Sequence, residues 1–190
     1  MAKNPNRRDR TKIKEGELFI YGEGITERYY FTHLKKLSGF GYKIHRHLFD
    51  SNLIDCVAKI KQEIRKYTGT PAKAIFVLDG DIYNNNIEFK QLQELHKSSK
   101  DIIISVTQPE FEYWFLTHFI QTNKQFTKKQ LLTELRKYLP NYEKREKYLK
   151  NIGWFESLYK GQNGAISYSK QSKKCTGSYS DFYKVLDVLK

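Results

Sequence analysis

Two short apolar runs end the same way, and together they constrain the fold more than any other feature of the chain. Residues 18–21, LFIY, lead into Gly22-Glu23-Gly24, and residues 75–78, IFVL, lead into Asp79-Gly80-Asp81. Apolar runs without polar alternation, bounded by glycine and acids, read as strands covered on both faces, as in parallel sheets. Open α/β sheets place their sites at the carboxyl ends of such strands, where the strand order reverses. Glu23, Glu27, Asp79 and Asp81 are therefore expected to converge in one crevice. Like charges gathered there raise one another's pKa, and a hard divalent cation with oxygen ligands, Mg²⁺ or Mn²⁺, removes the conflict. Such a cation can activate water and stabilise charge developing on a phosphodiester. Gly22, Gly24 and Gly80 would let the backbone approach a phosphate with no Cβ in the way. The plainer alternative makes Asp79-Gly80-Asp81 a turn and Glu27 a first-turn acid favoured by the helix dipole.

The intervening sequence alternates between strand-like and helix-like patterns. A strand at 17–21 precedes a helix with Thr26 as N-cap and Tyr30, Leu34 and Leu37 on one face. Residues 42–49 alternate as a strand nearer an edge. Ser51 or Asn52 can cap a second helix carrying Leu53, Val57, Ile60 and Ile64. A strand at 73–78, a helix at 87–97 and a strand at 101–106 follow. This βαβαβαβ series predicts an α/β fold: a Rossmann-like open parallel sheet of four strands, ordered 2-1-3-4, with helices on both faces. Pro109 suits the first turn of a helix that puts Phe111, Phe115 and His118 on one face. Residues 124–150 read as helical, with nine Lys/Arg against three Glu, a stripe of Leu131, Leu135 and Tyr138, and a break at Pro140. Gly153, Gly161, Gly164 and Gly177 interrupt any pattern beyond that, until a terminal helix holding Phe182, Val185, Leu186 and Leu189. The expected division is a flexible basic arm (1–16), an α/β core (17–122) and a basic, mostly helical extension packed on it (123–190).

Charge narrows the partner. The net charge is +13 over 190 residues, and a basic surface favours polyanions through counterion release. Nucleic acid is the expected partner, with Lys128, Lys129, Arg136, Lys137, Lys144, Arg145, Lys170, Lys173 and Lys174 holding its backbone. Some of the 14 tyrosines could stack on unpaired bases. The 1–16 arm, six Lys/Arg against two acids, is a phosphate-gripping arm or a solvated tail. No apolar run approaches the roughly 20 residues of a spanning helix, so the expectation is a cytoplasmic protein with no membrane partner. Cys56 and Cys175 are too few for a disulfide framework and are expected as reduced thiols. His45 and His47 share a strand face but have no third ligand in view, and no phosphate-cradling Walker pattern supports NTP hydrolysis.

The residues carry a resemblance as well. IYGEGITERYYF (residues 20–31) resembles the first motif of Toprim-type nuclease and primase domains, and FVLDGD (76–81) resembles their Asp-x-Asp motif. VTQPEFEYWFLTHF (106–119) is similar to the Asn-Pro-x-Phe-Glu-x-Trp-x-x-x-His segment of the RloB-like family, which is linked to bacterial restriction and phage-defence loci; Gln108 stands where that segment has Asn. The resemblance spans roughly residues 17–119. It implies that Glu23 binds metal or acts as general acid/base, that Asp79 and Asp81 form a metal-binding pair, and that Glu27 is the second acid of a Glu-Gly-x-Thr-Glu form. Glu112 and His118 match the later motif. Glu112 could face the metal crevice and His118 could serve phosphate or a proton; the alternatives are a dipole-favoured acid and a core imidazole. The function expected is a metal-dependent phosphodiesterase, a nuclease of RNA or DNA in anti-phage defence, with a companion ATPase or defence-system protein as a further partner and homo-oligomerisation left open. The alternatives are a non-catalytic effector on a Toprim-like scaffold and an enzyme acting on a nucleotide second messenger.

Overall fold

The computed structural model describes residues 17–39, 43–44, 53–64, 72–80, 87–172 and 177–189. Its strands are β1 (Glu17–Gly22), β2 (Lys43–Ile44), β3 (Ala72–Asp79), β4 (Ile102–Gln108) and β5 (Tyr179–Ser180). They form one sheet in the order β2-β1-β3-β4-β5. β1 pairs parallel with β2 and β3, and β3 pairs parallel with β4. β5 joins β4 antiparallel, so the sheet is five-stranded and mixed rather than four-stranded and parallel. The fifth strand has two residues, too few for an apolar pattern to announce it. Tertiary bonds hold it instead: Asp181 Oδ1 accepts the Val106 amide at 2.7 Å, and the Thr107 and Ser180 hydroxyls meet at 2.9 Å.

Both faces of the sheet are covered, which explains the unbroken apolar runs. Successive side chains of a strand point to opposite faces. Leu18, Ile20, Ile75 and Val77 accordingly join one core, while Phe19, Tyr21, Ala74, Phe76 and Leu78 join the other. Helices α2 (Leu53–Ile64) and α3 (Ile87–Ser98) cover the second face, with Leu53, Cys56, Ile60, Phe89 and Leu92 buried there. The first face meets α1 (Ile25–Ser38) and a series of later helices: α4 (Glu112–Leu116), α5 (Lys128–Leu135), α6 (Glu146–Leu149), α7 (Gly153–Gln171) and α8 (Tyr183–Leu189). Tyr30 is the hub of this core. Its ring centroid lies 5.0–5.8 Å from those of Phe111, Phe115, Phe155 and Phe182, and its hydroxyl accepts from Trp114 Nε1 at 3.0 Å. No helix among the described residues is long and apolar enough to cross a membrane.

Several expectations change. The stripe on α1 stops at Leu34, since Leu37 is exposed. Pro109 precedes α4 rather than opening it, after a cis Gln108–Pro109 bond. Residues 124–150 hold two short helices, separated by a stretch that contains Pro140 and Asn141 in the left-handed region (φ 64°). Tyr138 is partly exposed, stacked on Phe119 at 5.2 Å. The glycine-rich stretch is the 19-residue helix α7. There Gly161 permits close packing, because a Cβ at that position would overlap the His118 carbonyl oxygen. The 1–16 arm, most of the 42–49 strand with His45 and His47, and Cys175 lie outside the described residues.

Gly80 differs: a Cβ there would overlap the Gln108 carboxamide at the end of β4, the far end of a flexible side chain that can turn aside. Gly80→Ala is expected to cost about 1 kcal/mol, at the low end of overpacking, a Tm loss of roughly 2–4 °C for a chain of this size. Gln108→Ala in the same chain should restore most of the loss in a thermal melt. A Gly80→Ala melt that Gln108→Ala leaves unimproved would assign the effect to some other contact.

Candidate active site

Beyond the paired ends of β1 and β3, the Glu23 carboxylate reaches across to the neighbouring strand, where its Oε1 accepts the Asp79 amide at 2.6 Å. Asp79 Oδ1 in turn accepts the Phe111 amide at 2.9 Å, which ties the end of β3 to the entry of α4. Gly24 is the N-cap of α1 and makes no side-chain cap bond. Thr26, expected in that role, lies inside the first turn and donates instead to Glu112 Oε1 at 3.1 Å. The Tyr142 hydroxyl donates to the same oxygen at 2.8 Å. Lys144 Nζ closes the arrangement, 2.8 Å from Glu112 Oε2 and 3.0 Å from Glu110 Oε2.

The result is a cavity of about 290 Å³ lined by five acidic residues, Glu23, Glu27, Asp79, Glu110 and Glu112, and by Lys128 and Lys144. Burial, then the charges of Glu112 and Glu23, pushes Glu27 up to about 8. Burial, then Glu23, Glu27 and Glu112, pushes Asp79 up to about 9. Burial and Glu112 also raise Glu110, whose Oε1 is buried with no hydrogen-bond partner among the described residues. Burial disfavours the charge on Lys144, but Glu112 and Glu110 more than offset this and hold it above the ordinary lysine range.

These shifts fix the sign of a pH effect. Asp79 and Glu27 keep their protons in the folded chain at pH values where the unfolded chain has lost them. Their contribution is complete below the unfolded values of 3.8 and 4.5 and fades as pH rises through about 8 to 9. In chelator, Tm is expected to fall by several degrees from pH 5 to 9, at roughly 2–4 °C per kcal/mol, and less steeply in Asp79→Asn. Equal slopes for the two chains would remove Asp79 as the source.

The expected site residues divide clearly. Glu23, Glu27, Asp79 and Glu112 come together, joined by Lys128 and Lys144. Asp81, Lys173 and Lys174 lie outside the described residues. His118 is not in the cavity wall. It lies past the far end of α4, with Nδ1 2.8 Å from the Trp114 carbonyl and its ring on the Trp114 indole, and burial holds it down at about 4. Lys144, expected to grip phosphate, neutralises two buried acids. Lys129 is exposed on α5. Several other cations have acidic or carbonyl partners: Arg136 donates to the Tyr142 carbonyl at 3.1 Å, Lys137 meets Glu134 at 2.8 Å, Arg145 meets Glu143 at 3.7 Å, and Lys170 meets Asp187 at 2.9 Å.

Sequence reading missed Tyr142 and gave Glu110 and Thr26 no part in the site. Tyr142 and Lys144 come from the segment that follows Asn141, and no local spacing in the sequence announces their reach to Glu112. Oxygen donors that repel one another suit a hard cation, although no three His, Cys, Asp or Glu side chains among the described residues are arranged to hold an ion. No curated protein and no solved structure gives a significant match. A model of RloB-like proteins matches residues 18–189, well beyond the stretch that carries the motifs, and the chain belongs to the RloB-like family.

Proposed function

We propose that this protein is a metal-dependent phosphodiesterase, a nuclease of the Toprim type that cuts RNA or DNA in bacterial anti-phage defence. The observation that carries the reading is the 2.6 Å bond from the Asp79 amide to Glu23, which sets two acid-bearing strand ends in one cavity. Glu23, Glu27 and Asp79 line the cavity without surrounding a single point, so to hold Mg²⁺ or Mn²⁺ their side chains would turn inward, with Asp81 two residues further along the chain. When bound, such an ion lowers the pKa of a water and stabilises charge developing on phosphorus. Glu112, with its oxygens engaged by Thr26, Tyr142 and Lys144, is a positioning residue that locks the start of α4 against α1. Lys128 lies at the cavity wall, where a phosphate oxygen would meet it. A companion ATPase or another protein of the defence locus is the expected partner.

A second reading, a non-catalytic effector, draws on the Lys144 pairing, which already satisfies part of the acidic cluster without a metal. Incubation with tRNA, mRNA and plasmid DNA, with and without Mg²⁺ or Mn²⁺, separates the two. Cleavage that stops in chelator supports the enzyme. Binding that persists in chelator, with no cleavage under any condition, supports the effector.

A further inference from the structure

The segment that closes the carboxylate cavity also walls a second one. Tyr142 and Lys144 reach Glu112, whereas Asn141, Glu143 and Arg145 line a separate cleft of about 780 Å³. Arg145, the N-cap of α6, has extended angles (φ −120°, ψ 143°). The cleft is completed by Lys147 and Tyr148 on α6, Asn151, and Trp154 on α7. Both rings are fixed in place. Tyr148 packs edge-on against Tyr142 at 5.5 Å, and Trp154 Nε1 donates to the Leu149 carbonyl at 3.1 Å. The cations are exposed: the Arg145 side chain is 79% accessible and touches Glu143 only at 3.7 Å.

Trp154 is 5% exposed and forms the cleft's buried base, so Tyr148, half-buried, is the ring open to a ligand. That ring, the carboxamides and the exposed cations in one cleft suit a specific chemistry. Bases stack on aromatic rings regardless of sequence, carboxamides can pair with base edges, and Arg and Lys meet phosphates. An acidic peptide would use the cations and leave the ring idle. Base pairs in a duplex have their faces covered and could not enter. The volume lies within the roughly 300–1,000 Å³ of small-ligand sites, enough for a nucleotide or two. We infer that this cleft seats one or two unpaired nucleotides of a single-stranded nucleic acid, the strand then crossing the 141–145 segment toward the carboxylate cavity. The first half of this inference stands on the cleft alone; the direction of the strand rests on the proposed phosphodiesterase.

The test uses the full chain carrying Asp79→Asn, without divalent metal, so that binding is read apart from cutting. Labelled single-stranded RNA and DNA oligonucleotides and the matching duplexes are titrated by fluorescence anisotropy over a range of salt. Arg145→Ala with Lys147→Ala is expected to weaken single-strand binding about tenfold and to make the plot of log K against log salt shallower by about 2. Tyr148→Leu, which keeps bulk against Tyr142, should weaken it by about tenfold with little change in salt slope. Thermal melts confirm that each variant is folded. Unchanged single-strand affinity in both variants overturns the inference, as does an equal loss for duplex. Failure of the native chain to cleave any nucleic acid would remove the proposed function and leave the cleft result intact.

Discussion

Replacing Asp79 by Asn is expected to abolish cleavage of RNA or DNA while leaving the fold at least as stable as before. The carboxyl has two separable jobs. Its Oδ1 accepts the Phe111 amide, and an asparagine oxygen can do the same. Its charge is a liability to the metal-free fold, since burial and three neighbouring carboxylates already push Asp79 up to about 9. Removing that charge should therefore hold or raise Tm above neutral pH. The activity depends on the ionised form, because hard cations take carboxylate oxygens. Several kcal/mol of transition-state stabilisation would go with it, roughly a 10³-fold loss in rate. Glu23→Gln should behave alike, since the amide oxygen can still accept the Asp79 N–H. The check is paired: cleavage on a gel with Mg²⁺ or Mn²⁺, and a melt of the same preparations. Retained cleavage in Asp79→Asn sinks the enzyme reading, and a Tm that drops with the activity reduces Asp79 to a structural residue.

How much of this was legible depends on how local each signal is. The acidic strand ends were readable because the apolar run, the glycines and the acids are contiguous, and because both-face burial of Leu18–Phe19–Ile20 removes polar alternation. The helices α2 and α3 were readable from their stripes within one or two residues at either end. Long-range closures were not. Thr26 reaches Glu112 across 86 positions and Tyr142 reaches it across 30, so neither bond leaves a trace in local spacing. In the basic 124–150 stretch a lysine's charge shows in the sequence, but whether it also meets an acid of the chain depends on the fold. Lys144 and Lys137 meet acids. The same holds for His118: sharing a motif with Glu112 does not place it on the same end of α4, and its ring bonds back to its own segment.

Lys144→Met should give the largest loss of stability among single changes at the site. Glu110 and Glu112 are 4% and 1% exposed, and the ammonium group is their shared counter-charge. Taking one partner from a buried ion pair costs about 3–5 kcal/mol, because a charge remains in a poor solvent. The Lys144 side chain is 39% accessible, so water screens part of the interaction. A figure of about 2 kcal/mol follows, or a Tm loss of roughly 4–8 °C. Methionine keeps most of the stem's packing, so the loss reports the charge. Adding Glu112→Gln should return part of the lost stability, since the amide can still accept from Thr26 and Tyr142 and no longer needs a cation. The same variant probes the carboxylates as a set. With Lys144 gone, a divalent ion has less internal competition for the acids, so Mn²⁺ should restore more Tm to Lys144→Met than it adds to the native chain. Melts of the two chains and the double variant, with and without Mn²⁺, read all of this. A Lys144→Met melt within about 1 °C of the native chain would mean solvent already screens the pair, leaving closure of the cavity to the Thr26 and Tyr142 hydroxyls.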